Sequence, residues 1–148
     1  MNMPNTSTSH SVFEHPMRIY WEDTDAGGIV FYANYLKFFE RARTEWLRAL
    51  GFGQQVLREA SGGMFVVSET TVKYHSPARL DDTLIVTAEL QNGGKASLTI
   101  AQRAYLRKPG QTQINDQLLA EGTIRLGWVD STTLKPGRIP APVLEALK

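Results

Sequence analysis

The 148-residue chain contains no cysteine. Disulfides, thiolate catalysis and cysteine-ligated metal are excluded together, and the composition fits a reducing cytoplasm. No charge of one sign dominates either. Sixteen basic and 15 acidic residues leave a formal +1, too weak a field to argue for nucleic acid or an anionic membrane surface. No apolar run approaches the ~20 residues of a membrane span. Histidine is scarce: His10 lies in the opening segment, His15 precedes Pro16, and His75 ends an alternating run. No two of them have metal-ligand spacing, and no Ser or Thr stands in a nucleophile elbow. Neither a metal nor a cofactor is expected.

What remains is an ordinary globular composition, 42% hydrophobic and 21% charged, of a length that suits one core. The first ten residues have neither a basic n-region nor an apolar h-region, so they do not read as a signal peptide. Residues 1–14 read as a disordered tail and 15–148 as one domain.

Met17, Ile19 and Trp21 alternate with Arg18, Tyr20 and Glu22, the pattern of a half-buried strand. Turn chemistry interrupts it from Asp23 to Gly28. From about Phe31 to Leu50 the period becomes helical: Tyr35, Phe39, Ala42, Trp46 and Ala49 share one face. Arg41 and Glu45 have the spacing of an i,i+4 ion pair, and Gly51 stands where a C′ glycine ends a helix. Leu36, Phe38, Leu47 and Leu50 widen the apolar surface, so this helix is expected to be covered on more than one side. A shorter helix is predicted within Phe52–Ser61, then strands over Met64–His75, Thr83–Gln91, Ala96–Arg107 and Gln117–Val129. Asn92-Gly93-Gly94 marks a hairpin. Residues 135–148 form a tail closing on a helical turn. The fold class is α+β: one long helix against an antiparallel sheet of about five strands. The sheet's second face needs cover, which favours a dimer or larger assembly.

Three carboxylates, Glu22, Asp23 and Asp25, fall within four residues. Strand alternation sends Glu22 and Asp23 to opposite faces. Asp25 lies in the turn ahead of the long helix, whose unpaired N–H groups and dipole can meet an oxyanion. A carboxylate beside such donors can open an acyl bond, and Gly27 and Gly28 leave room for close approach to the backbone. An Asp before a helix is most often an ordinary cap, and Asp-Thr-Asp in a turn is often only turn chemistry. A calcium loop counted from Asp23 has Gly28 in sixth place but Gly27 in fifth and Asn34 in twelfth, so the bidentate Glu is missing.

Residues 20–47, above all Glu-Asp-Thr-Asp-Ala-Gly-Gly (22–28) and Phe-Glu-Arg-Ala-Arg-Thr-Glu (39–45), resemble the 4-hydroxybenzoyl-CoA thioesterase-like hotdog family. They are most similar to its YbgC branch of Tol-Pal-associated acyl-CoA thioesterases. Val-Lys-Tyr-His-Ser-Pro-Ala-Arg-Leu-Asp-Asp (72–82) extends the similarity, which spans about Pro16 to Pro140. The resemblance implies a hotdog fold, a long central helix wrapped by a curved antiparallel sheet. It implies a homodimer at minimum, commonly a homotetramer, with active sites at the dimer interface. It also implies hydrolysis of an acyl-CoA, with Asp25 as nucleophile or general base and the Tyr32 backbone N–H polarising the carbonyl. Tyr32 replaces a histidine common in the YbgC branch, and Ala33 a proline seen in the benzoyl-CoA enzymes. Gly28, Phe31, Phe65, Val66 and Val67 are candidates for the substrate channel, and Lys95 for a CoA phosphate. On the same fold, the alternative is an adaptor binding acyl carrier protein or an envelope-associated partner.

Overall fold

The computed structural model describes residues 12–148. The tail expected over 1–14, with His10, lies mostly outside these residues, and Phe13 and Glu14 already belong to the first strand. Five strands, β1 (Phe13–Arg18), β2 (Gly63–Tyr74), β3 (Thr83–Gly93), β4 (Ser97–Arg107) and β5 (Gln117–Asp130), form one antiparallel sheet in the order β1-β3-β4-β5-β2. Three helices accompany it: α1 (Asn34–Ala49), α2 (Gln54–Ser61) and α3 (Ala141–Leu147). This is the hotdog architecture, with α1 held against the inner face of a curved sheet. Register shifts at Val67/Glu69, Leu90/Asn92 and Ala104/Tyr105 supply the local bends that curvature needs.

The core lies between α1 and the sheet. Tyr35, Phe38, Phe39, Ala42, Trp46 and Leu47 are buried against Leu98, Ile100, Ala104, Ile124 and Trp128. Phe38 and Phe39 are fully buried, each stabilising by about 1.5–3 kcal/mol. Among the described residues two polar side chains are buried, Thr87 and the fully enclosed Gln102. Gln102 donates to the carbonyls of Phe39 (3.0 Å) and Thr87 (3.1 Å) and accepts from Arg43 Nη1 (2.9 Å), so it ties α1 to β3 and β4. Opposite it stands Gly122, where a Cβ would lie 2.5 Å from the Thr71 carbonyl and 3.5 Å from the Phe39 ring.

Several local expectations change. The first strand runs over Phe13–Arg18 rather than Met17–Trp21, and Trp21 is 80% exposed in a 3-10 turn over Trp21–Asp23. The cause is local: the Asp23 carboxylate accepts the Tyr20 N–H at 2.8 Å and the Thr24 hydroxyl donates to the Trp21 carbonyl at 3.0 Å. These bonds hold a turn where alternation alone predicts strand, so Glu22 and Asp23 do not face opposite sides of a sheet. Ala49, Leu36 and Leu50 are exposed, so α1 is covered less widely than its composition suggests. Glu45 pairs with Arg48 rather than Arg41. The C-terminus of α1 closes as expected: Gly51, at φ +95°, donates to Arg48, and Phe52 donates back to Leu47 at 2.8 Å. The tail carries a seven-residue helix whose Val143 and Leu147 join the core.

Candidate active site

The loop carrying Asp25 is built by its own backbone. Thr24 and Val30 bridge, Asp25 N–H donates to Ile29 at 2.9 Å, and Gly28 N–H returns to the Asp25 carbonyl at 3.0 Å. Gly28 sits at φ +81°, a conformation that side chains rarely adopt. Asp25 Oδ1 accepts the Gly27 N–H at 2.8 Å, which orients the carboxylate, while Oδ2 has no partner among the described residues. The side chain is exposed.

Two anchors fasten this loop. Val30 N–H donates to Ala78 at 2.9 Å and Ile29 bridges Arg79, which attaches it to the β2–β3 connection. The Asp23 carbonyl accepts both the Phe31 N–H (3.1 Å) and Asn34 Nδ2 (2.8 Å), which attaches it to the start of α1. That start is a tight turn. Asn34, Tyr35 and Leu36 donate to Phe31, Tyr32 and Ala33 at 2.8, 3.4 and 3.1 Å, three i→i+3 bonds. Because Phe31 and Asn34 N–H are both used, the Tyr32 and Ala33 N–H groups are left as consecutive donors without an acceptor among the described residues.

Aromatic rings line this junction. Phe31 and Tyr32 are 47% and 63% exposed, with centroids 4.9 Å apart. Tyr74, at the end of β2, meets Tyr32 edge-on at 6.0 Å and Tyr35 at 5.4 Å. The Tyr35 hydroxyl accepts the Ala78 N–H at 3.2 Å, and burial is the main cause that raises this phenol's pKa. Burial also raises the Tyr74 pKa, with Tyr32 adding to it.

Asp25, Gly28, Phe31 and Tyr32 therefore share one junction, whereas the other four candidates do not join them within one chain. Register places Tyr74 beside Ala120, Ala104 and Val86 at one end of the sheet, and Val66 beside Gly127 and Ser97 at the other. Phe65 lies nine residues from Tyr74 along β2, roughly 30 Å of strand. Its ring packs on Trp128 at 4.9 Å, Val66 is half-buried and Val67 is 52% exposed. Phe65 also borders a cavity of about 380 Å³ between α1, α2 and β2, lined with Thr44, Arg48, Gln54, Arg58 and Met64. Lys95 is exposed in the β3–β4 turn, where its carbonyl accepts the Ile139 N–H at 2.8 Å.

Sequence reasoning missed Asn34, Tyr35 and Tyr74 as parts of this junction. Asn34 had a visible signal, an amide at a helix start. Tyr74 had none beyond its place in an alternating run. Among the described residues no group of three or more His, Asp or Glu could hold a metal, and no helix is long and apolar enough to cross a membrane.

This geometry has relatives. Residues 27–113 match the family model of the thioesterase superfamily. A Haemophilus influenzae protein named acyl-CoA thioesterase YbgC is 41% identical over 134 residues, 90% of this chain and 93% of that one. An Escherichia coli protein named acyl-CoA thioester hydrolase YbgC is 40% identical, covering 93% and 97% of the two chains. The crystal structure of a hypothetical protein from Aquifex aeolicus superposes with a TM-score of 0.78 at 29% identity, over 92% of this chain and 99% of that one. The chain belongs to the thioesterase superfamily of hotdog proteins, in its YbgC branch.

Proposed function

We propose that the protein hydrolyses an acyl-CoA thioester to a free acid and CoA, with Asp25 and the Tyr32 N–H as the reacting groups. The observation that carries this reading is a carboxylate with one free oxygen in the loop that leads directly into unpaired helix-start N–H groups. The thioester carbonyl oxygen accepts the Tyr32 N–H, so negative charge developing there meets a donor already in place. Asp25 takes a proton from an attacking water, or attacks the carbonyl carbon itself to form a mixed anhydride that water then hydrolyses to the free acid and the restored carboxylate. CoA leaves as a thiolate, a good leaving group because thiol pKa values lie near 8.5. Relatives at about 40% identity carrying acyl-CoA thioesterase names support the substrate class.

A two-chain site reconciles the two separated groups of candidates. β2 is an edge strand whose outer side has no neighbouring strand among the described residues. Antiparallel pairing of two β2 edges about their middle sets Phe65–Val67 of one protomer opposite Thr70–Val72 of the other, and its Gly63 opposite Tyr74. An acyl channel between Phe31 and that segment then forms in the dimer, with Lys95 available to a CoA phosphate.

A panel of acyl-CoAs of varied length and aromaticity, read by thiol release, tests the reading. Asp25→Asn should fold normally and lose at least about a hundredfold in kcat on the best substrate. Parent-rate turnover by that variant sinks the mechanism. Absence of any cleavage, together with acyl carrier protein binding, sinks the enzyme itself.

A further inference from the structure

The Tyr74 hydroxyl donates to the Tyr32 carbonyl at 2.9 Å. That carbonyl also accepts the Tyr35 N–H, but at 3.4 Å, longer than the 2.8 and 3.1 Å of the neighbouring bonds in the same turn. The phenol is therefore the closer partner of this oxygen. The Tyr32 carbonyl and the Ala33 N–H are the two ends of one planar, conjugated peptide group. A donor on the oxygen draws electron density from the nitrogen and makes the N–H at the other end a stronger donor. Ala33 has helical angles, φ −69° and ψ −18°, so its N–H belongs to the first turn together with that of Tyr32. A phenol is a proton donor at neutral pH, so the Tyr74 hydroxyl can donate here.

We propose that Tyr74 is a positioning residue for the hydrolysis: its hydroxyl fixes and polarises the Tyr32–Ala33 peptide, so that the Ala33 N–H becomes a second donor to the thioester carbonyl oxygen. The inference rests on the reading of the site given above. It makes the end of β2 a working part of the junction rather than a wall. The rings of Tyr32 and Tyr35 hold the phenol in place from two sides.

Tyr74→Phe keeps the ring and removes only the hydroxyl. It should lower kcat about tenfold, leave KM within about twofold, and shift the Ala33 amide resonances. Ala33→Pro deletes the second donor without forcing the backbone, since proline prefers φ near −65° and is tolerated in the first helical turn. It should lower kcat about a hundredfold, and adding Tyr74→Phe to it should cost little more. Parent kcat in Tyr74→Phe overturns the proposal, as do losses that multiply fully in the double variant. Should Ala33→Pro fail to fold, unmoved Ala33 amide resonances in Tyr74→Phe overturn it instead. Parent-rate turnover by Asp25→Asn, by contrast, condemns the carboxylate mechanism while the Tyr74→Phe measurement stands on its own.

Discussion

The two ends of β2 are built to opposite specifications. At the Gly63 end the polar groups are satisfied and the indole of Trp128 is packed, although a cavity of about 380 Å³ opens beside Phe65 towards α1 and α2. A Cβ on Gly63 would lie 2.5 Å from the Trp128 indole, which also packs edge-on with Phe65, and the nearby Asp130 carboxylate accepts the Thr132 and Thr133 N–H groups. At the Tyr74 end, Phe31, Tyr32 and Tyr74 remain 45–63% exposed, one oxygen of Asp25 has no partner and two consecutive N–H groups have no acceptor among the described residues. Unmade bonds and bare rings bring no stability. Groups left unpaired in place are what a substrate can meet without reorganisation. Within one protomer, one end of the strand supports the fold and the other carries the unpaired groups.

Substitutions that separate turnover from stability test this division. Asp25→Asn carries the largest expected effect, the loss of about a hundredfold or more in kcat, and thermal melting should show the parent Tm. Trp128→Ala is the mirror case. Truncating this buried indole should cost about 3–5 kcal/mol and lower Tm by roughly 10 °C, while the folded fraction loses far less kcat than Asp25→Asn does, any effect through Phe65 falling on KM. If Trp128→Ala reduces kcat as strongly as Asp25→Asn does, the two ends are not independent.

A smaller effect is read in acid. Hydrogen bonds from the Thr133 and Thr132 backbones hold Asp130 below its ordinary value of 3.8. A depressed carboxylate contributes stability that is present above pH 3.8 and is lost as pH falls through its lower folded value. Asp130→Asn should flatten that part of the acid unfolding profile and leave the kcat–pH profile unchanged. The smallest expected effect belongs to Lys95→Ala. An exposed lysine meeting a phosphate is worth about 0.2–1 kcal/mol, so KM for CoA substrates should rise no more than about fivefold at unchanged kcat. An unchanged KM across a salt titration removes Lys95 from the substrate contacts.

Much of this was legible in the residues. The spacing of Tyr35, Phe39, Ala42 and Trp46 predicts the buried face of α1 because side chains three and four apart must share a side. Gly51 announces its end because positive φ favours glycine. The motif around Asp25 predicts the family and the loop. Ala49 was misassigned because periodicity states which side of a helix a residue faces, not whether the sheet extends that far. Trp21 was misassigned because a single carboxylate, Asp23, caps the backbone and ends the alternation early. Gln102 could not be read as a core residue. The groups that satisfy it belong to Phe39, Arg43 and Thr87, far away along the chain.

Local order thus came from the chain's own chemistry: turn formers, caps and periods act over a few residues and can be read in line. The partition of the candidate site could not be. Phe65 and Lys95 carry the right chemistry for a substrate, yet strand length and register put them at the opposite end of the sheet from Asp25. The bond from Tyr74 to Tyr32 spans 42 positions. It exists because β2 runs along the far edge of the sheet and ends beside the first turn of α1, a juxtaposition that only folding creates.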